Sequence, residues 1–157
     1  MSRRRQIEMS PAEVDAFLTR ARTLILVSNG PGGLPHPMPM WFVREPGGAI
    51  RMTTYAKSQK VRNLERDPRV ALLAEAGDEY AELRGVVIYA RAELVREPET
   101  VLDTMLRASR TDLSALPAAQ RPAAEAGLRA QAAKRLVVRC VPERTVSWDH
   151  AKLGGLH

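Results

Sequence analysis

Residues 50–73 read IRMTTYAKSQKVRNLERDPRVALL. Ile50 to Thr54 predicts the end of a strand, and a polar turn follows. Ser58 opens a short helix, and Asp67-Pro68 closes it because the residue before a proline avoids helical backbone angles. Arg69 to Ala74 predicts the next strand. Thr53, Thr54, Tyr55, Lys57, Ser58, Gln59 and Lys60 crowd the turn and first helical turn with hydroxyl and ammonium donors, and no carboxylate stands among them. A strand that delivers such donors to a helix N-terminus suits a phosphate. Free N–H groups and the helix dipole favour an anion, and the side chains add charge-assisted bonds. The plainer alternative is a solvated strand–helix connection. Lys57 and Lys60, three apart, are expected near one another, and Arg62 either assists them or faces water.

Working outward, Ser10-Pro11-Ala12-Glu13 is a helix start with a capping box, and Val14, Phe17, Leu18 and Ala21 form its apolar face. Thr23 to Ser28 predicts a buried strand and Asn29 to Gly33 a turn. Pro35 to Val43 (PHPMPMWFV) predicts a second strand. Its prolines at alternate positions withhold donors on one side, which suits an edge strand or one that opens to admit a ligand. Ala49 to Thr54 is the third strand. Tyr80 to Val95 predicts a long strand or a bent pair, with Gly85 as a bulge at a barrel corner. Glu97-Pro98 leads into a helix to about Arg110, and Leu116 to Ala133 into a further helical excursion. Leu136 to Val141 predicts a core strand, broken by Pro142 from a shorter segment, Thr145 to Trp148.

The chain has 157 residues, a net charge of +6, 45% hydrophobic and 4% aromatic residues. That length predicts one domain over residues 1–157, of α+β class but mainly β: an antiparallel barrel with peripheral helices. The basic charge fits a phosphorylated ligand. The scarcity of aromatics disfavours a stacking platform for single-stranded nucleic acid. No apolar run is long enough to span a bilayer, and Arg3-Arg4-Arg5 is not followed by a signal-peptide core, so a cytoplasmic protein is expected. Lone Cys140 in an apolar strand pattern is expected to be a buried structural thiol. His36, His150 and His157 lack metal-site spacing, and no metal is expected. Nucleophile-elbow, P-loop and dinucleotide-binding motifs are absent.

Thr53-Thr54, Ser58-Gln59-Lys60, Asn63-Leu64 and Asp67-Pro68-Arg69-Val70 stand in an order that resembles the phosphate-binding region of the pyridoxamine 5′-phosphate oxidase-like superfamily. These are FMN-binding split β-barrels, and the resemblance covers roughly residues 10–150. It implies a split barrel, a homodimer with cofactor at the interface, and Thr53, Thr54, Lys57, Ser58 and Lys60 around the cofactor phosphate. Met38, Met40 and Trp41 would line the ring pocket, or else serve as core or interface. The oxidases of this family usually carry Arg where Gln59 stands, and further cations on the preceding strand. That strand here has none before Arg44. The pattern is closer to the bacterial branch that uses the deazaflavin coenzyme F-420, so the cofactor implied is F-420 or FMN. The activity implied is hydride transfer to a small unsaturated or redox-active substrate, and a non-catalytic flavin-binding or sequestering protein is the alternative. Trp148 and the tail Ser147 to Gly155 resemble tails that approach the active site in relatives. No catalytic residue is assigned. Tyr55, His150, Lys152 and solvent all remain open as proton sources.

Overall fold

The computed structural model describes residues 2–154. Seven strands form one antiparallel sheet in the order β2-β1-β5-β6-β7-β4-β3. They are β1 (Thr23–Asn29), β2 (Pro35–Trp41), β3 (Val43–Arg44), β4 (Ile50–Tyr55), β5 (Arg69–Ala76), β6 (Arg84–Val95) and β7 (Arg135–Asp149). A helical turn, α1 (Arg3–Gln6), precedes α2 (Pro11–Arg20); α3 (Gln59–Arg66) joins β4 to β5, and α4 (Pro98–Ser109) with α5 (Arg121–Ala132) fills the excursion between β6 and β7.

Side chains alternate across a strand, so each strand lends one row to the inside. Leu24 and Leu26 near one end of the sheet pack in the same cluster as Ile50 and Met52 near the other. The sheet therefore curls round its core into the expected split barrel. Val61 and Leu64 of α3 and Leu18 of α2 enter the same core. The capping box at Ser10 is present, with Ser10 Oγ accepting from Glu13 N and Glu13 accepting from Ser10 N.

β2 pairs with β1 alone, setting Pro35, Pro37 and Pro39 opposite Asn29, Val27 and Ile25. It is the edge strand that alternate prolines require. α4 and α5 cover the outer side of β7, where Val101, Leu102, Ala132 and Val137 make a second core. Arg51 of β4 donates to Asp103 of α4 at 2.9 Å and ties the two together.

Four expectations are corrected. The second strand stops at Trp41, with Val43 in the separate β3, and Tyr80–Glu82 is a 3-10 turn ahead of β6. β7 is one continuous strand rather than two, and it pairs with β6 on both sides of Pro142. A one-residue irregularity absorbs the proline: Tyr89 faces Arg144, Ala90 faces Pro142, and Glu143 is the extra residue. The bulge accordingly lies there and not at Gly85. Gly85 stays in register opposite Trp148, and a Cβ on it would lie 2.4 Å from the indole ring. It is glycine to make room for a side chain rather than to bend a strand.

Candidate functional site

Alternation along β4 sends Thr54 into the barrel and Thr53 outward. Thr54 is buried, with its hydroxyl 3.3 Å from that of Ser58. Ser58 is the N-cap of α3 and accepts from Val61 N at 3.5 Å. As the second residue of α3, Lys60 is only 9% exposed, yet among the described residues its ammonium has neither a hydrogen bond nor an ion pair. Burial holds its pKa below the ordinary lysine value. A desolvated cation without a counter-charge is costly. Lys60 stands in the first turn of α3, two residues after the Ser58 cap, where an anion could offset its charge.

The platform beneath it is fixed. Asn63, fully buried, donates to Ser28 Oγ at 3.1 Å and accepts from Gln59 Nε2 at 2.9 Å, bolting α3 to β1. Asp67 accepts from Arg69 Nε at 2.9 Å and Nη2 at 2.7 Å, and from Asn29 Nδ2 at 2.9 Å. Those bonds, the Arg69 side chain first, hold its carboxyl far below the usual carboxylate range. Glu65, the nearest carboxylate in sequence to Lys60, accepts from Arg96 at 3.3 Å, so both are committed elsewhere. His36, paired in register with Ser28, has a buried Nδ1 with no hydrogen-bond partner.

The other expected residues separate into distinct places. Lys57 precedes the N-cap and is exposed, so it does not share the surroundings of Lys60. Met38 and Met40 are half-buried on the inner side of β2, opposite Leu26 and Leu24. Trp41 points outward, 53% exposed, with the Arg22 guanidinium 4.4 Å over its ring. Met40, Trp41 and Thr53 meet at a groove of about 420 Å³ that α4 and α5 wall on the far side.

Trp148 belongs elsewhere in the chain's own barrel. β7 starts with Arg135 opposite Tyr55 and carries Trp148 near its other end, across Gly85. The tail beyond is tied down: His150 Nδ1 lies 2.9 Å from Tyr80 O, and Lys152 Nζ donates to Glu13 at 2.7 Å and to Glu8 O at 2.8 Å. Gly155 and His157 lie outside the described residues. Cys140 is buried, and desolvation pushes its thiol up to about 12, which suits a structural role.

Arg135 was not singled out by sequence. It lines the same groove, its guanidinium lies 4.2 Å from the centre of the Tyr55 ring, and its buried Nε has no hydrogen-bond partner. The available signal was an arginine in outward alternation at the head of an apolar strand.

No curated protein matches this chain. A conserved hypothetical protein from Mycobacterium tuberculosis shares 40% identity with it over 100% of this chain and 95% of its own, with a TM-score of 0.84. An F420 reductase shares 23% identity over 83% of this chain and 94% of its own, at a TM-score of 0.61. A haem storage protein from Vibrio cholerae shares 19% over 90% and 97%, at 0.65. Both of these last two show the fold alone. The family model for pyridoxamine 5′-phosphate oxidase matches residues 10–143, and the chain belongs to that family.

Proposed function

We propose that this protein binds a flavin-type cofactor through its phosphate at Thr54, Ser58 and Lys60 and works as an oxidoreductase. The buried Lys60 side chain, with no counter-ion among the described residues, carries the reading. A phosphate would supply the missing charge and accept from the hydroxyls of Thr54 and Ser58. When bound, a cofactor of this type supplies hydride transfer to or from its ring. The chain's own part is to hold and shield it. α3 keeps the donors in place through Asn63 and Asp67, and Met40 and Trp41, which meet at the groove, offer a polarisable apolar surface to a flat ring.

The deazaflavin F-420 is preferred to FMN. One buried ammonium, with Lys57 and Arg62 exposed around it, is a sparse set for a doubly charged terminal phosphate. It fits a phosphodiester whose further negative charges lie along the surface. The F420 reductase among the structural neighbours is in keeping with this.

We also propose a homodimer. Pro39, Ile25, Leu73, Val87 and Val146 stand in one row across five strands on the outside of the barrel, and Pro37, Val27, Ala71 and Tyr89 in the next. Such a continuous apolar face marks an association surface. Trp148 would reach a cofactor only from a second copy.

The test is titration of apoprotein with F-420 and FMN, followed by turnover of the reduced complex with candidate acceptors. Tight binding with turnover supports an oxidoreductase. Tight binding in which the reduced ring passes on no hydride supports the sequestering alternative.

A further inference from the structure

We infer that the groove between β2, β4, α4 and α5 binds an organic acid with a flat apolar body, and that Arg135 holds its carboxylate. As a substrate assignment this rests on the cofactor reading above. As a binding site it does not.

The groove, at about 420 Å³, lies in the size range of small-molecule pockets. Met40, Trp41, Met105 and Leu128 give it apolar walls, while Thr53, Ser109, Thr111, Gln131 and Arg135 supply polar groups. Among the described residues no aspartate or glutamate lines it. The Arg135 side chain makes no hydrogen bond or ion pair with any described residue, as is true of Arg144, which lies 4.4 Å over the Tyr89 ring outside the groove, whereas Arg139 and Arg51 of the same face are paired. Arg139, four residues on, donates to both Glu45 and Glu93, and Arg51 to Asp103. Arg135 instead lies against the exposed Tyr55 ring at 4.2 Å. A stacked guanidinium is oriented but keeps its in-plane donors for a planar, two-oxygen acceptor. Arg135 is the one cation among the residues lining this carboxylate-free groove, Arg22 being held over Trp41 and on Ser109 O, and it selects a ligand with a negative charge and a flat hydrophobic remainder. Tyr55 is the positioning residue, acting through the stack.

Thr53 joins this groove to β4, whose next residue, Thr54, belongs to the Lys60 cluster. A carboxylate on Arg135 would therefore place the apolar part of an acid beside a ring seated on Met40 and Trp41, so that the two stack in the groove and do not compete.

The test is calorimetric titration of the full chain with 1-naphthoate and its neutral amide, with and without saturating cofactor. The acid is expected to bind about tenfold or more tightly than the amide. Arg135→Met should remove that preference, and Arg135→Lys should retain part of it. Tyr55→Leu should weaken the acid but not the amide. Lys60→Met should leave acid binding unchanged, and saturating cofactor should not displace it. Equal binding of acid and amide, or a preference that survives Arg135→Met in a folded variant, overturns the pocket. Displacement of cofactor by the acid overturns its assignment to substrate. If Lys60→Met leaves cofactor affinity intact while Arg135→Met abolishes the acid preference, the cofactor reading fails and the acid pocket stands.

Discussion

Trp148 lies flat against the backbone of Gly85, so close that a methyl group there would stand 2.4 Å from the ring. Glycine is required at this point by the neighbouring strand, since its own φ is not in the left-handed region. Gly85→Ala is expected to force the indole off β6 and destabilise the fold by about 1–3 kcal/mol, the usual cost of overpacking. Denaturant titration measures it, and a red shift of tryptophan emission reports the displacement. Unchanged stability would mean that Trp148 has another place to go.

The apolar rows on the outside of β1, β5 and β6 predict that sedimentation gives a dimer at micromolar concentration. Leu73→Asp places a charge in the middle of the row opposite Ile25 and Val87. It should yield a folded monomer with unchanged circular dichroism. A wild-type chain that sediments as a monomer would rule the face out as a self-association surface.

Glu13 joins the capping box of α2 to the tail through Lys152. The Lys152 hydrogen bond, with help from Ser10, lowers its pKa from 4.5 to about 2. A carboxyl whose folded pKa is depressed stabilises above its unfolded pKa and loses that contribution as pH falls through the folded one. Protection of the amides of residues 150–154 should thus be complete above pH 4.5 and decline toward pH 2. Hydrogen exchange followed by NMR tests this. Glu13→Gln should show reduced protection already at neutral pH, and added salt should weaken the wild-type tie because it is exposed.

What was legible in sequence was local chemistry. The capping box at Ser10 and the stop at Asp67-Pro68 depend on neighbours a few residues away, and both ends formed where expected. The alternate prolines of β2 implied an edge, because a missing donor excludes a second partner strand. The site was legible as a cluster but not as an arrangement. Strand alternation already separated Thr53 from Thr54, a signal present but not used. Nothing local told Lys57 from Lys60, since their exposure is decided by how α3 packs on β1 and β4. Gly85 and Arg135 owe their roles to Trp148 and Tyr55, residues brought alongside only by strand pairing. Pro142 reads as a break until β6 is there to pair around it.

The central claim is that Lys60 waits, buried, for the phosphate of a cofactor, and it is tested most directly by comparing wild type with Lys60→Met. The substitution keeps the side chain's length and removes a desolvated charge. The apo fold should therefore melt at the same or a higher temperature. Cofactor affinity should fall by about 1.5–3 kcal/mol, roughly 10- to 150-fold in Kd, the worth of a hydrogen bond to a charged group in a partly dry site. Undiminished affinity of Lys60→Met for both F-420 and FMN, with the wild type binding at least one of them, would place the phosphate elsewhere and contradict the account.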